Sequence, residues 1–198
     1  MKKFAFVFYF FFVASVFASN FELGKEKSSV CAVCHGEKGV STNPIWPNLA
    51  GQHQTYLMKQ LHDFKKDKLR HSPVMVPFVA ALTEEDIEAI AYFYSKQERS
   101  ALKMQRKNEL GDRLYRSGDA IKHITACIAC HGPDALGNPL AGFPVLAGQK
   151  EAYAVLQLQA FKNKTRQNDL NDIMQMIAAR MNEAEMRAVS AYLATPER

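Results

Sequence analysis

Two copies of Cys-x-x-Cys-His, Cys31-Ala32-Val33-Cys34-His35 and Cys127-Ile128-Ala129-Cys130-His131, recur 96 residues apart and use every cysteine of this 198-residue chain. Covalent attachment of a c-type haem needs two thiols spaced to add across the two porphyrin vinyl groups. It also needs an adjacent imidazole to reach the iron, and each pentapeptide supplies all three. The chain is therefore expected to carry two haem c groups, through Cys31 and Cys34 and through Cys127 and Cys130. A zinc or dithiol role for the cysteines would require that haem is never attached.

The N-terminus bears on where this chemistry takes place. Lys2-Lys3, the apolar run from Phe4 to Phe17, and Val16-Phe17-Ala18 read as an export signal over residues 1–18, with an uncleaved N-terminal anchor as the alternative. Either places the folded part outside the cytoplasm, with the periplasm expected and membrane association following from an uncleaved segment. Loss of the signal removes two lysines from the 25 Lys+Arg, leaving +3 against 20 Asp+Glu. Haem propionates bring the total nearer neutrality, and basic residues are interspersed with acids, so nucleic-acid binding has no support.

The repeat extends well beyond the cysteines. Pro47-Asn48-Leu49-Ala50-Gly51-Gln52 matches Pro144-Val145-Leu146-Ala147-Gly148-Gln149, and Tyr56, Gln60 and Phe64 match Tyr153, Gln157 and Phe161, all at an offset of 97. Met75 matches Met174 and Phe93 matches Tyr192 at 99. The offset changes only where loops are expected, so the chain divides into two domains, at 19–98 and 109–198, joined by a polar linker at 99–108. Both domains read as all-α. Helical periodicity runs from Gln54 to Lys66 and from Thr83 to Gln97, and a further helix spans about Glu109 to Arg116. Thr83 with Asp86, and Asn182 with Glu185, are capping-box pairs opening the last helix of each half. Domains of this size are marginal on their own cores, and a buried porphyrin supplies the missing apolar centre.

His35 and His131 are the expected proximal iron ligands. On the distal side Met75 and Met174 are the methionines in register, 40 and 43 residues downstream of the histidines, on a loop before the last helix. Met176 competes with Met174, but its counterpart is Pro77; His71 is a weaker distal candidate. Met58, Met181 and Met186 read as core filler, and His53, His62 and His123 as solvent-facing or internally satisfied. Pro47 and Pro144 are candidates to present a carbonyl to the proximal imidazoles. Arg70 and Arg166 either pair with haem propionates or are solvated loop residues.

These residues resemble a known family, the dihaem cytochromes c4, built from two class I cytochrome c domains. The resemblance covers nearly the whole mature chain and rests on Cys-Ala-Val-Cys-His-Gly (31–36), Pro-Asn-Leu-Ala-Gly-Gln (47–52), Cys-Ile-Ala-Cys-His-Gly-Pro-Asp (127–134), residues 137–149 and the methionine loops. It implies His/Met ligation of both irons and a pseudo-twofold arrangement with the haems close across the domain interface. It also implies a periplasmic electron carrier between a quinol-oxidising cytochrome bc complex and a terminal oxidase, often of the cbb3 type. One departure is the proline-flanked Ser72-Pro73-Val74-Met75-Val76-Pro77. The alternatives are an electron-transfer subunit of a larger complex and a dihaem oxidoreductase such as a peroxidase or a thiosulfate-oxidising enzyme. The near-equivalence of the two methionine loops argues against an enzyme, which needs an open or displaceable sixth site.

Overall fold

The computed structural model describes residues 20–99 and 108–194. The expected export signal and most of the expected linker lie outside the described residues.

Each half is a small helical domain. The first holds α1 (20–27), α2 (Ser29–His35), α3 (Gln54–Lys66), α4 (Val76–Val79) and α5 (Glu84–Ser95). The second holds α6 (Glu109–Ser117), α7 (Ile128–His131), α8 (Glu151–Lys162), α9 (Ile173–Arg180) and α10 (Glu183–Leu193), with a short 3-10 turn at Leu170–Asp172. Among the described residues, β-structure is limited to isolated bridges.

The first and last helices of each domain cross at a glycine. A Cβ on Gly24 would lie 2.1 Å from Ala89 O, and one on Gly111 would lie 2.3 Å from Ala188 O. Only glycine permits backbones this close. The crossings bring Phe21 against Phe93 (ring centroids 5.2 Å apart) and Tyr115 against Tyr192 (5.6 Å). Phe93, Tyr94, Tyr115 and Tyr192 are all buried there.

Both capping boxes form. Thr83 accepts from the Asp86 N–H while Asp86 accepts from the Thr83 N–H, and Asn182 and Glu185 do the same. Each capping acid is also tied to a lysine from an earlier part of its domain, Lys27 to Asp86 at 2.9 Å and Lys122 to Glu185 at 2.7 Å. The Thr83 N–H and then Lys27 hold the Asp86 carboxyl down at about 2. A carboxylate depressed in the folded state stabilises above its ordinary pKa of about 4, and that contribution fades as pH falls through the folded value. Thermal melts of Asp86→Asn are therefore expected to show a lower melting temperature at neutral pH and a flatter loss between about pH 4 and about pH 2. An unchanged acid limb would mean that this carboxylate carries no part of it.

The segments ahead of α5 and α10 are more helical than expected. Met75 is the N-cap of α4, and Met174 lies in the first turn of α9, rather than both resting on open loop.

The two domains meet through reciprocal contacts. Arg70 and Arg166 form an antiparallel bridge, with Gln167 N–H donating to Leu69 O at 2.7 Å. Both guanidiniums are buried, so neither arginine is a solvated loop residue. Each lies over a phenylalanine of its own domain, Phe64 at 4.3 Å and Phe161 at 4.4 Å. Each donates to the glutamine of its own preceding helix, Gln60 or Gln157, and to a tyrosine of the opposite domain. Those tyrosine contacts are Arg70 to Tyr153 at 3.0 Å and Arg166 to Tyr56 at 2.9 Å. Asn168 departs from the symmetry. It donates to Gln60 and Asp63, and its carbonyl accepts from Lys59. The corresponding positions of α8, Leu156 and Ala160, offer no such groups.

Candidate haem-binding sites

The cysteine motifs lie on α2 and across the start of α7, each helix ending at its histidine. Gly36 turns the chain at φ +80° immediately afterwards, where a side chain would also strike Val40 O at 2.3 Å. None of the four cysteines is joined in a disulfide, so all four are open to thioether formation. Burial pushes the Cys31 thiol up, and the Cys127 thiol up to about 11, so both stand against apolar surroundings in neutral form.

His35 and His131 are buried. Each ring uses Nδ1 on a proline carbonyl, Pro47 O at 3.0 Å and Pro144 O at 3.0 Å. Burial lowers the pKa of both imidazoles, partly offset by those carbonyls, so the rings are neutral at physiological pH. A neutral ring with Nδ1–H donated to a carbonyl leaves Nε2 as a lone-pair donor, which is the form a metal takes.

Met174 is half-buried and packs against the core of the second domain, while Met176 is 50% exposed. That arrangement separates the two candidate methionines of this segment. Its backbone is fixed by Asp169, which accepts from both the N–H and the side-chain amide of Gln175, and by Asp172, which accepts from the same amide at 2.7 Å. Met75 is half-buried, with its N–H bonded to Ser72 O at 3.0 Å. Met181 and Met186 are buried in the core and Met58 packs against that of domain one.

The remaining histidines have protein partners or face solvent. His53 Nε2 lies 2.8 Å from Leu136 O across the domain interface, His62 is 3.3 Å from Glu84, and His71 is 2.6 Å from Asp67. His123 is exposed. Among the described residues no group of three or more His, Cys, Asp and Glu is placed to hold a bare metal ion.

Two thiols and one neutral imidazole per site, standing against an apolar cluster, match the requirements of covalently held haem. The cytochrome c family model matches twice, over residues 21–97 and 110–196. Cytochrome c4 of Stutzerimonas stutzeri is 37% identical over 191 residues, covering 89% of each chain. The chain belongs to the dihaem cytochrome c4 family. The crystal structure of reduced recombinant cytochrome c4 from Pseudomonas stutzeri superposes with a TM-score of 0.83 at 37% identity, covering 87% of this chain and 96% of that one. A thiosulfate dehydrogenase electron acceptor from Stutzerimonas stutzeri strain A1501 is 38% identical over 169 residues, covering 83% of this chain and 77% of that protein. As a cytochrome c4 family member the chain binds two haem c groups through its two Cys-x-x-Cys-His motifs, and it is an electron-transfer protein rather than an enzyme.

Sequence reading did not assign a role to Gln52, Gln149, Tyr56, Tyr153, Gln60 or Gln157. All six are repeated in both halves, and all six make hydrogen bonds at the domain interface. Their signal was polar identity at matched positions in two otherwise diverged domains.

Proposed function

We propose that the two irons are held by His35 with Met75 and by His131 with Met174, in an exported carrier that takes electrons from a quinol-oxidising cytochrome bc complex and delivers them to a terminal oxidase, such as one of the cbb3 type. The observation that carries this reading is the pair of buried imidazoles whose Nδ1 atoms rest on Pro47 O and Pro144 O, with Met174 packed against the same core cluster as Cys127. When bound, each haem supplies a one-electron couple at its iron. The chain's own part is to fix the imidazole tautomer, supply a neutral thioether on the other face and exclude water.

Arg70 and Arg166 are the proposed partners of the haem propionates. Their protein hydrogen bonds run to neutral oxygens of Gln60, Gln157, Asn168 and the two tyrosines. Two buried guanidiniums meeting at one interface call for anionic groups close by. Residues 1–18 are proposed as the export signal delivering the chain to the periplasm, and the basic stretch around 99–108 as the linker. No helix of the described residues is long and apolar enough to cross a membrane.

A second reading is carried by the likeness to the thiosulfate dehydrogenase electron acceptor, in which the electrons come from a sulfur-oxidising enzyme. Stopped-flow mixing separates the two. Rapid reduction by a cytochrome bc complex and rapid oxidation by a cbb3-type oxidase support the first. Reduction only by thiosulfate dehydrogenase with its substrate replaces it with the second.

A further inference from the structure

The interface contains a second reciprocal device, away from the arginines. Gln52 reaches from domain one to the backbone of Val145. Its Nε2 donates to Val145 O at 2.9 Å and its Oε1 accepts from Val145 N–H at 2.9 Å. Gln149 reaches the other way to Asn48, with Nε2 donating to Asn48 O at 3.0 Å and Oε1 accepting from Asn48 N–H at 2.8 Å. Each amide Oε1 also accepts from the next residue of its own domain, His53 N–H or Lys150 N–H, at the start of α3 or α8. One primary amide thus satisfies both backbone groups of a single residue in the opposite domain, as a strand neighbour would.

The braced residues are the ones following Pro47 and Pro144, whose carbonyls receive the His35 and His131 rings. The peptide joining Pro144 to Val145 has the His131 acceptor as its oxygen and the Gln52-bound N–H as its nitrogen. It is one rigid plane, so fixing the N–H fixes the carbonyl direction. The same holds for Pro47, Asn48 and Gln149.

We propose that Gln52 and Gln149 are crossed positioning residues, each aiming the carbonyl that orients the proximal histidine of the other domain. The domain interface is thereby part of both haem environments. This rests on the reading of His35 and His131 as ligands. The brace is not wholly symmetric: Asn48 uses its side chain for two further bonds, accepting from Ser41 N–H and donating to Gly148 O. Val145 has no such groups, so the second site depends more on its glutamine than the first.

The test is the exchange of the ring Nδ1–H of His35 and His131 with solvent, followed by NMR in the holoprotein. Gln52→Ala is expected to speed exchange at His131 about tenfold, the equivalent of one net hydrogen bond, and to leave His35 near its wild-type rate. Gln149→Ala is expected to act on His35 alone, and by less. The midpoint potential of the affected haem should rise, because a poorly aimed carbonyl leaves the imidazole a weaker donor. Gln52→Glu keeps the acceptor for Val145 N–H and loses the donor, so it should give an intermediate rate if the alanine variant disturbs folding. An effect on the histidine of the same domain, equal effects on both, or none overturns the proposal. Failure of the ligand reading looks different: in ferric wild-type protein the imidazole resonances would lack the hyperfine shifts of iron-bound rings.

Discussion

Gly111→Val is expected to cost the second domain about 3 kcal/mol or more, because the new side chain has nowhere to go. Its Cβ alone would lie 2.3 Å from Ala188 O and 2.7 Å from Tyr192 Cβ. The first obstacle is helix backbone, so relief requires α6 and α10 to move apart. That motion would open the layer where Leu114, Tyr115, Met186, Val189 and Tyr192 are buried. Asn108 would also be strained, since it caps α6 by accepting from Gly111 N–H at 2.9 Å and donates to Ala188 O at 2.8 Å. A melting temperature lower by about 15 °C is the expected reading in the holoprotein, given the size of such a domain. The single tryptophan, Trp46, lies in domain one, so its emission reports whether that domain stays folded through the first transition. A melting temperature within a few degrees of wild type would show that the helix crossing tolerates separation.

Arg166→Leu is expected to have a comparable effect by a different route. The guanidinium donates to Asn168, Gln157, Tyr56 and Gln60, from both domains, and lies over Phe161. Leucine fills part of the volume and takes the donor from the Asn168, Gln157 and Tyr56 oxygens, while Gln60 keeps Arg70 and Asn168, at a cost of about 3 kcal/mol or more. The domains should dock less tightly, which small-angle scattering reads as a larger radius of gyration. Removing a buried positive charge also favours the ferric state of any haem near it. Both midpoint potentials should therefore fall, by on the order of tens of millivolts through a medium of intermediate dielectric. Arg166→Lys keeps the charge and loses the planar fork, so it should keep the potentials near wild type while losing much of the stability. Unchanged potentials in Arg166→Leu would argue against the arginine as a propionate partner.

The two folds were legible because their signals are local. Capping boxes need three residues, Cys-x-x-Cys-His needs five, and helix faces repeat within two turns. All of these stand in the structure where the residues place them. The segments holding Met75 and Met174 were harder. Proline on both sides of Met75 reads as a turn, yet Pro77 is compatible with the first turn of a helix, where it stands in α4. In α9 the chain enters through two left-handed residues, Asn171 and Asp172, which periodicity does not reveal. The arginines illustrate a different limit. Arg70 and Arg166 look like loop cations until two domains are brought together, because the tyrosine each one bonds lies in the opposite domain, far off in sequence. Matched polar residues in a tandem repeat are the pattern that points to such an interface. Apolar matches such as Leu61 and Leu158 are explained by each core alone, whereas Gln52 with Gln149 and Gln60 with Gln157 are not.

The central claim is that this chain is a tandem of two carrier domains, each holding a low-spin haem between a histidine and a methionine. A spectroelectrochemical titration of the isolated holoprotein tests it most directly, with haem content measured on the same sample. Two haems per chain, a low-spin c-type spectrum, a ferric sulfur-to-iron band that halves in either Met75→Ala or Met174→Ala, and two reversible one-electron steps are the expected result. A single haem, high-spin iron in the untreated protein, or a band that survives both substitutions would contradict it.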